Sequence, residues 1–497
     1  MIVSPKGLVR TVLAAGAGAG LVYAAMQAPG ALAVGSSANA DTSSEGGTST
    51  VRSAALVCPG PELKGLAGLG DLPVDVTVSA AAAPVRALTG LTLPPQAGSF
   101  SLTALDGSAG RAKTTARGLV ASTRLPKPTP MMVHGQQSMA PGLAAAQSWL
   151  VADGDHRSLG MAACGQPSAE AWLAAGGGAA GRQERLVLTN PSDNPVTVDL
   201  TLHGAKGAVV SPNGKGVVVP SRGRTTVLLD SISGTEPSPV VHVVAQGGVV
   251  HAVLNDHWLD GTIAAGSDDV VATAAPSRDQ VIPAVAVGKG GVLRIAVPGD
   301  GEAVVQTRVL TASGPRALPQ GGVLRVAGGS AKDVSLAGLA PGTYGLQVRS
   351  DVPVVASAVV ERRTARTAPG DLAWTSSTEP VLGVAGAPLP AQSLGGKALK
   401  RSLALTSSGD AASVEVVTTD AAGKAASRRL SIGADASATV DVSGATSVWV
   451  HRLSGKGQLR AGVIASGSDA KGELIATMPL ADTVVRATSV SLLEIPQ

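Results

Sequence analysis

The densest run of reactive side-chain types in the chain is His251-Ala-Val-Leu-Asn255-Asp256-His257. On a strand, residues an even number apart share a face, so His251 and His257 align with Asn255 beside them. Two imidazoles with an amide and a carboxylate carry the donor types of a metal site or an acid–base pair. The plainer reading is a strand end running into a polar loop, and it is the reading preferred. Histidine also recurs at His134, His242 and His451, but Arg349 takes the fourth matching slot. That points to a structural, solvent-facing role. Ser267-Asp268-Asp269 reads as a loop between modules with solvated carboxylates, although such pairs also serve calcium or a glycosidase. Gly176-Gly177-Gly178, bounded by alanines, reads as a flexible spacer and not as a phosphate cradle.

The usual catalytic signatures are missing. The chain has no G-x-S-x-G elbow, no P-loop and no H-E-x-x-H. Cys58 and Cys164 are the two cysteines. An even count in an oxidising compartment favours a disulfide, which the loop-entropy model values at roughly 4–5 kcal/mol for so long a loop. Two cysteines without a nearby histidine are too few for a metal. No catalytic residue, metal or cofactor is assigned.

The elements that would position these residues repeat. Leu186-Val-Leu-Thr-Asn190, Leu293-Arg-Ile295-Ala-Val297 and Leu403-Ala-Leu405-Thr each begin a strand, a polar turn and a second strand, about 108 residues apart. Val241-His242, Val348-Arg349 and Val450-His451 each open a later strand that leads through a polar hairpin to a small-residue strand. Val133-His134 fits the same slot, and Trp149 stands at the distance of Trp258. Val196, Val198, Leu200 and Leu202 alternate with Thr197, Asp199, Thr201 and His203, the period of a half-buried strand. About seven strands in roughly 100 residues describe an immunoglobulin-like β-sandwich. The fold class is therefore all-β, with about four tandem immunoglobulin-like modules at 55–172, 173–277, 278–391 and 392–497. Leu339-Ala-Pro341-Gly342-Thr-Tyr344 looks like a corner whose tyrosine hydroxyl caps a backbone group.

The bulk numbers agree with several domains. The chain has 497 residues, 44% hydrophobic but only 2% aromatic, so its cores must be Val, Leu and Ala. A net charge of +4 is spread thinly, without the basic stripe of a nucleic-acid binder. Lys6 and Arg10, the apolar residues 11–26 and Ala38-Asn39-Ala40 have the three-part form of an export signal. It is either cleaved or retained as a membrane anchor. Residues 41–54 read as a flexible linker.

Leu56-Val-Cys58-Pro-Gly-Pro61, the second cysteine ahead of Trp172, Leu186-Val-Leu-Thr-Asn-Pro191 and Ser350-Asp-Val-Pro-Val-Val-Ala356 follow one another in order. In this the chain resembles an uncharacterised family of large exported actinobacterial proteins, the domain of unknown function 5719. The resemblance implies an envelope-associated protein and brings no activity or site residues with it. The first expectation is thus a non-catalytic structural or interaction protein of the cell envelope, secreted or anchored. Its partner would be an envelope polymer or a membrane protein, with no nucleic acid and no small-molecule cofactor. Carbohydrate recognition is the alternative. An envelope hydrolase, looked for first at His251, Asp256 and His257, is the third reading.

Overall fold

The computed structural model describes residues 48–63, 74–108 and 112–488. The expected export segment and the C-terminal residues from 489 lie outside them. Among the described residues no helix is long and apolar enough to cross a membrane.

The described chain is nearly all β, and one plan occurs four times. In the first module the principal strands are Ser53–Cys58, Val76–Ala82, Phe100–Ala104, Ala112–Thr114, Val120–Leu125, Met131–Gln136, Leu143–Val151 and Ser158–Ala163. The first, sixth, third and fourth strands form one antiparallel sheet in that order. The fifth, second, seventh and eighth form the other. The same two orders recur in strand sets spanning 170–271, 277–376 and 384–480. The alternation in Val196–Gly204 becomes a strict inward set of Val196, Val198, Leu200 and Leu202, each almost wholly buried.

Each module is a β-sandwich whose central pairs match the C–F and B–E pairs of an immunoglobulin domain. The end strands are exchanged. The first lies beside the sixth, where an immunoglobulin domain has its last strand, and the seventh lies beside the second, where it has its first. Tyr344 donates its hydroxyl to Ala340 O at 2.9 Å, as the corner motif requires.

The register locates the repeat exactly enough to compare slots. Ala80 faces Ala145, Leu188 faces Ala252, Ile295 faces Ala356 and Leu405 faces Ala461. These pairs reproduce the spacing read from Leu186, Leu293 and Leu403. They also place Trp149 in the slot of Asp256, two positions before Trp258, so the two tryptophans are not counterparts. The polar segments expected to be hairpins after the sixth strands are crossings from one sheet to the other, because the seventh strand pairs with the second. In the third module Gly342–Arg362 runs unbroken through both sheets. The true hairpins join the seventh and eighth strands, as in His251–Asp260 with Ile263–Val271.

The eighth strands, Ser158–Ala163, Ile263–Val271, Asp371–Ser376 and Gly472–Leu480, are the inner edges of their sheets. Each meets the inner strand of the module before it and of the module after it, and the last meets the first. The four modules therefore close into a ring around a common axis. The outer face of each seventh–eighth hairpin packs on the preceding module. Val359 and Trp374 join the core of the second module, Ile464 and Ile475 that of the third, and Ala146, Leu159 and Met161 that of the fourth. The two ends of the described chain also meet, since Thr48–Thr50 pairs with Arg486–Thr488. Residues 48–54 thus belong to the folded body and are not linker: Val51 is buried, and Ser53 opens the first strand. The first strands of the second and fourth modules, Glu170–Ala174 and Val384–Pro388, lie at or before residues 172 and 391.

The first and fourth modules are not consecutive in the chain, and the segment 481–488 crosses their junction without a covalent link, Val485 O accepting from Val51 N–H and Val484 O from Gly142 N–H. Arg157 fastens this junction from a buried position. Its guanidinium donates to Gly370 O (3.1 Å), Gly472 O (3.0 Å), Glu473 O (3.4 Å) and Asp469 Oδ1 (3.0 Å). Removing one member of a buried ion pair costs about 3–5 kcal/mol because its partner stays desolvated. Arg157→Ala is therefore expected to lower the urea midpoint by an amount corresponding to at least about 3 kcal/mol. An unchanged midpoint would show that this junction does not hold the fold.

Candidate functional site

The polar run at 251–257 makes up the first seven residues of the strand His251–Asp260, hairpin partner of Ile263–Val271, and does not run out into a loop. His251, Asn255 and His257 share one face of the sheet, as the spacing required, and that face meets the first module. Three seams of the ring are packed with apolar side chains, while this one is polar. The His251 ring lies directly on Gly165, where an added Cβ would come within 2.6 Å of it. His257 stacks on His156 with ring centroids 3.9 Å apart. Asn255 Nδ2 donates to Asp269 Oδ1 at 2.9 Å, and Gln147 Nε2 reaches Asp269 Oδ2 at 3.4 Å. Arg224 donates to Pro59 O and Gly60 O and pairs with the buried Glu62 carboxylate.

Asp256 is on the opposite face. It takes a forked pair from Arg182 Nε (2.8 Å) and NH2 (2.5 Å), and Trp374 Nε1 donates to its Oδ2 at 2.6 Å. Burial would raise its pKa, but Arg182 more than offsets this and holds it below the usual value. Glu184 lies in the same interior and is pushed up to about 8 by burial and by Asp256. Its Oε1 accepts from Gly177 N–H at 2.7 Å. Gly176 and Gly177 are therefore buried and fixed and are not spacer. Gly176 has φ +87°, and a Cβ there would lie 2.3 Å from Glu184 Cγ.

Asp268 and Asp269 are likewise no loop. They sit mid-strand in the inner strand of the second module, 1% and 4% exposed. Inner strands are sheet edges, whose free N–H groups need acceptors once buried. Asp268 Oδ2 accepts from Trp374 N–H of the next inner strand at 2.7 Å. Asp371, which begins that strand, does more. Its Oδ2 accepts from Leu159 N–H (3.0 Å) and Ile475 N–H (2.9 Å), which belong to the first and fourth modules. Two carboxyls thus tie together all four inner strands. Sequence reasoning missed Asp371 altogether, since a lone aspartate after Pro369-Gly370 reads as an ordinary turn residue.

On the axis, Met161, Asp269, Trp374 and Thr477 occupy one register-matched layer, with Ala163, Val271, Ser376 and Pro479 in the next. They enclose a void of about 10 Å³, which has room for a single water. Nothing larger can enter. Among the described residues no group of three or more His, Cys, Asp or Glu is placed to hold a metal. The other repeated histidines are only partly solvent-facing. His242 stacks on Trp172 at 4.0 Å, and His451 is buried beside Glu415. Cys58 and Cys164 form the expected disulfide across the first module.

The electrostatics give the fold a pH signature. Burial raises Asp371 to about 8, Asp269 to about 7 and Asp268 well above its ordinary value. A carboxyl whose pKa is raised by folding contributes stability below its unfolded pKa and loses it as pH rises through the folded value. Burial lowers His251 to about 4 and His257 to about 3, so the histidines act only below about pH 6.5. From pH 6.5 to 9 the carboxyl slope stands alone, and the melting temperature of the wild type is expected to fall. Asp371→Asn, which keeps an acceptor for Leu159 and Ile475, is expected to melt near the wild type at pH 6.5 and to show a smaller fall by pH 9. An equal fall in both proteins would remove Asp371 from this role.

A family model for a family of unknown function, DUF5719, matches residues 119–443. The match runs from the fifth strand of the first module to just past the fifth strand of the fourth, so it touches all four modules. No curated protein matches the chain. A solved structure of the tetra-tandem repeat in the extending region of a large adhesion protein aligns at 13% identity, covering 78% of this chain and 92% of that one, with a TM-score of 0.08. That score carries no argument. The family match covers more than half of the chain, and the protein belongs to DUF5719.

Proposed function

We propose that this protein is a non-catalytic structural or interaction protein of the cell envelope, working outside the cytoplasm. One observation carries the reading. The side chains best suited to chemistry, His251, Asn255, Asp256, His257 and the carboxyls around them, are all within 10% of complete burial and are spent on joining modules. Some bonds, such as Asn255–Asp269 and Arg182–Asp256, lie within the second module, while Trp374–Asp256, Trp374–Asp268 and the His156–His257 stack reach its neighbours, and together they leave no room for a substrate. The Cys58–Cys164 disulfide supports an oxidising compartment, as does the form of the N-terminal sequence.

The carbohydrate reading needs exposed aromatic faces. Trp149, Trp172, Trp374 and Trp449 are each at most 5% exposed, which favours the structural reading over a sugar-stacking surface. The thin positive charge remains available for anionic polymer.

Purified protein with its disulfide formed is expected to co-sediment with isolated cell-wall material. Binding should weaken as salt rises through the range where the Debye length falls below about 10 Å, and no soluble fragments should be released. Release of fragments by the wild type, abolished in His257→Ala, would overturn the non-catalytic reading.

A further inference from the structure

The repeat offers an internal comparison that isolates one slot. The residue just before the conserved-register alanine of each seventh strand faces the neighbouring module. In the second, third and fourth modules it is His251, Val355 and Arg460. Each fills its seam. His251 lies on Gly165. Val355 is fully buried against Trp172 and Ala174. Arg460 donates to Thr378 O at 2.7 Å and to Ser408 Oγ at 3.0 Å. In the first module the slot holds Ala144, opposite Ala81. There the seam with the fourth module contains a cavity of about 190 Å³ that opens to solvent.

The cavity thus lies beside a slot that holds a larger side chain, His251, Val355 or Arg460, in each of the other seams. Its floor is apolar, with Leu143, Ala145, Ala387 and Leu480 all buried. Asp482, the one charged side chain of the lining, is exposed at the mouth. Its carboxylate accepts from Gly383 N–H at 3.0 Å and Leu382 N–H at 3.2 Å, which fixes it in place. A carboxylate that accepts backbone bonds still has lone pairs for a further donor. An apolar cavity of 150 Å³ already binds benzene, so this one is large enough for a small ligand.

We propose that the seam between the first and fourth modules is a binding site for a small molecule with a short aliphatic stem and a cationic head. The stem lies on the apolar floor, beside the slot that Arg460 fills in the preceding seam. The head meets Asp482 at the mouth. The segment 481–484, which crosses this seam, forms part of the lining, so an occupant adds to the contacts that hold the two ends of the ring together. The inference does not depend on the envelope reading.

The test uses the full chain and three probes: hexylamine, 1-hexanol and hexanoate. Hexylamine is expected to raise the melting temperature in proportion to ln(1 + [L]/Kd), with 1-hexanol weaker and hexanoate weakest. Ala144→Leu fills the cavity from within, so it is expected to melt above the wild type and to bind hexylamine at least about tenfold more weakly. Ala144→Val serves the same purpose with less bulk, should leucine be too large to fold. Equal shifts by hexylamine in the wild type and in a folded, filled variant would overturn the site. No shift in the wild type would do the same. Hexanoate binding as tightly as hexylamine would overturn the cationic specificity.

Discussion

Four sheet edges meet on one axis, and every other feature of this molecule follows from how that meeting is satisfied. An edge strand carries a row of N–H and C=O groups that water normally serves. Buried without partners, each would cost about 1–3 kcal/mol. The inner strands do not pair with one another as a sheet. Asp371 instead accepts N–H groups from two other modules at once, and Asp268 accepts one from a third. Burial raises both carboxyls, Asp371 to about 8, because the desolvated interior disfavours the charged form.

The composition fits this constraint. Modules that pack edge to edge need flat, smooth contact faces, and Ala, Val and Gly supply them. Gly266 illustrates the tolerance: a Cβ there would lie 2.4 Å from Leu372 N of the next module. Three seams are closed by apolar side chains that join the core of the neighbour. The seam between the first and second modules is closed by stacked histidines and amides instead, and the apolar seam between the first and fourth carries in addition the buried Arg157. The disulfide staples the module that takes part in both unusual seams.

The sandwich was legible because alternation in a half-buried strand is a local signal. Val196 to Leu202 shows its buried side residue by residue, and the repeat of Leu186, Leu293 and Leu403 reports the register that the sheets adopt. Cys58 and Cys164 could be paired because an even count in an oxidising compartment favours a disulfide over two buried thiols. The ring was not legible. Nothing in Asp268-Asp269 distinguishes a solvated pair from one placed mid-strand between modules, since the evidence for burial sits on three other chain segments a hundred or more residues away. The glycines at 176–177 misled for the same reason, because Glu184 fixes them only in three dimensions. In the polar run at 251–257 the spacing placed His251, Asn255 and His257 on one face, with Asp256 on the other. What that face met was invisible, and so a packing seam had the look of a site.

The closed ring is the claim on which the rest stands, and small-angle X-ray scattering on Thr48–Thr488 tests it directly. A compact body of this length has a radius of gyration of about 22 Å. The ring predicts a value within a few ångströms of that and a single-peaked distance distribution. Modules strung in a line would give roughly twice that radius and a long, shouldered distribution, and that result would contradict the account.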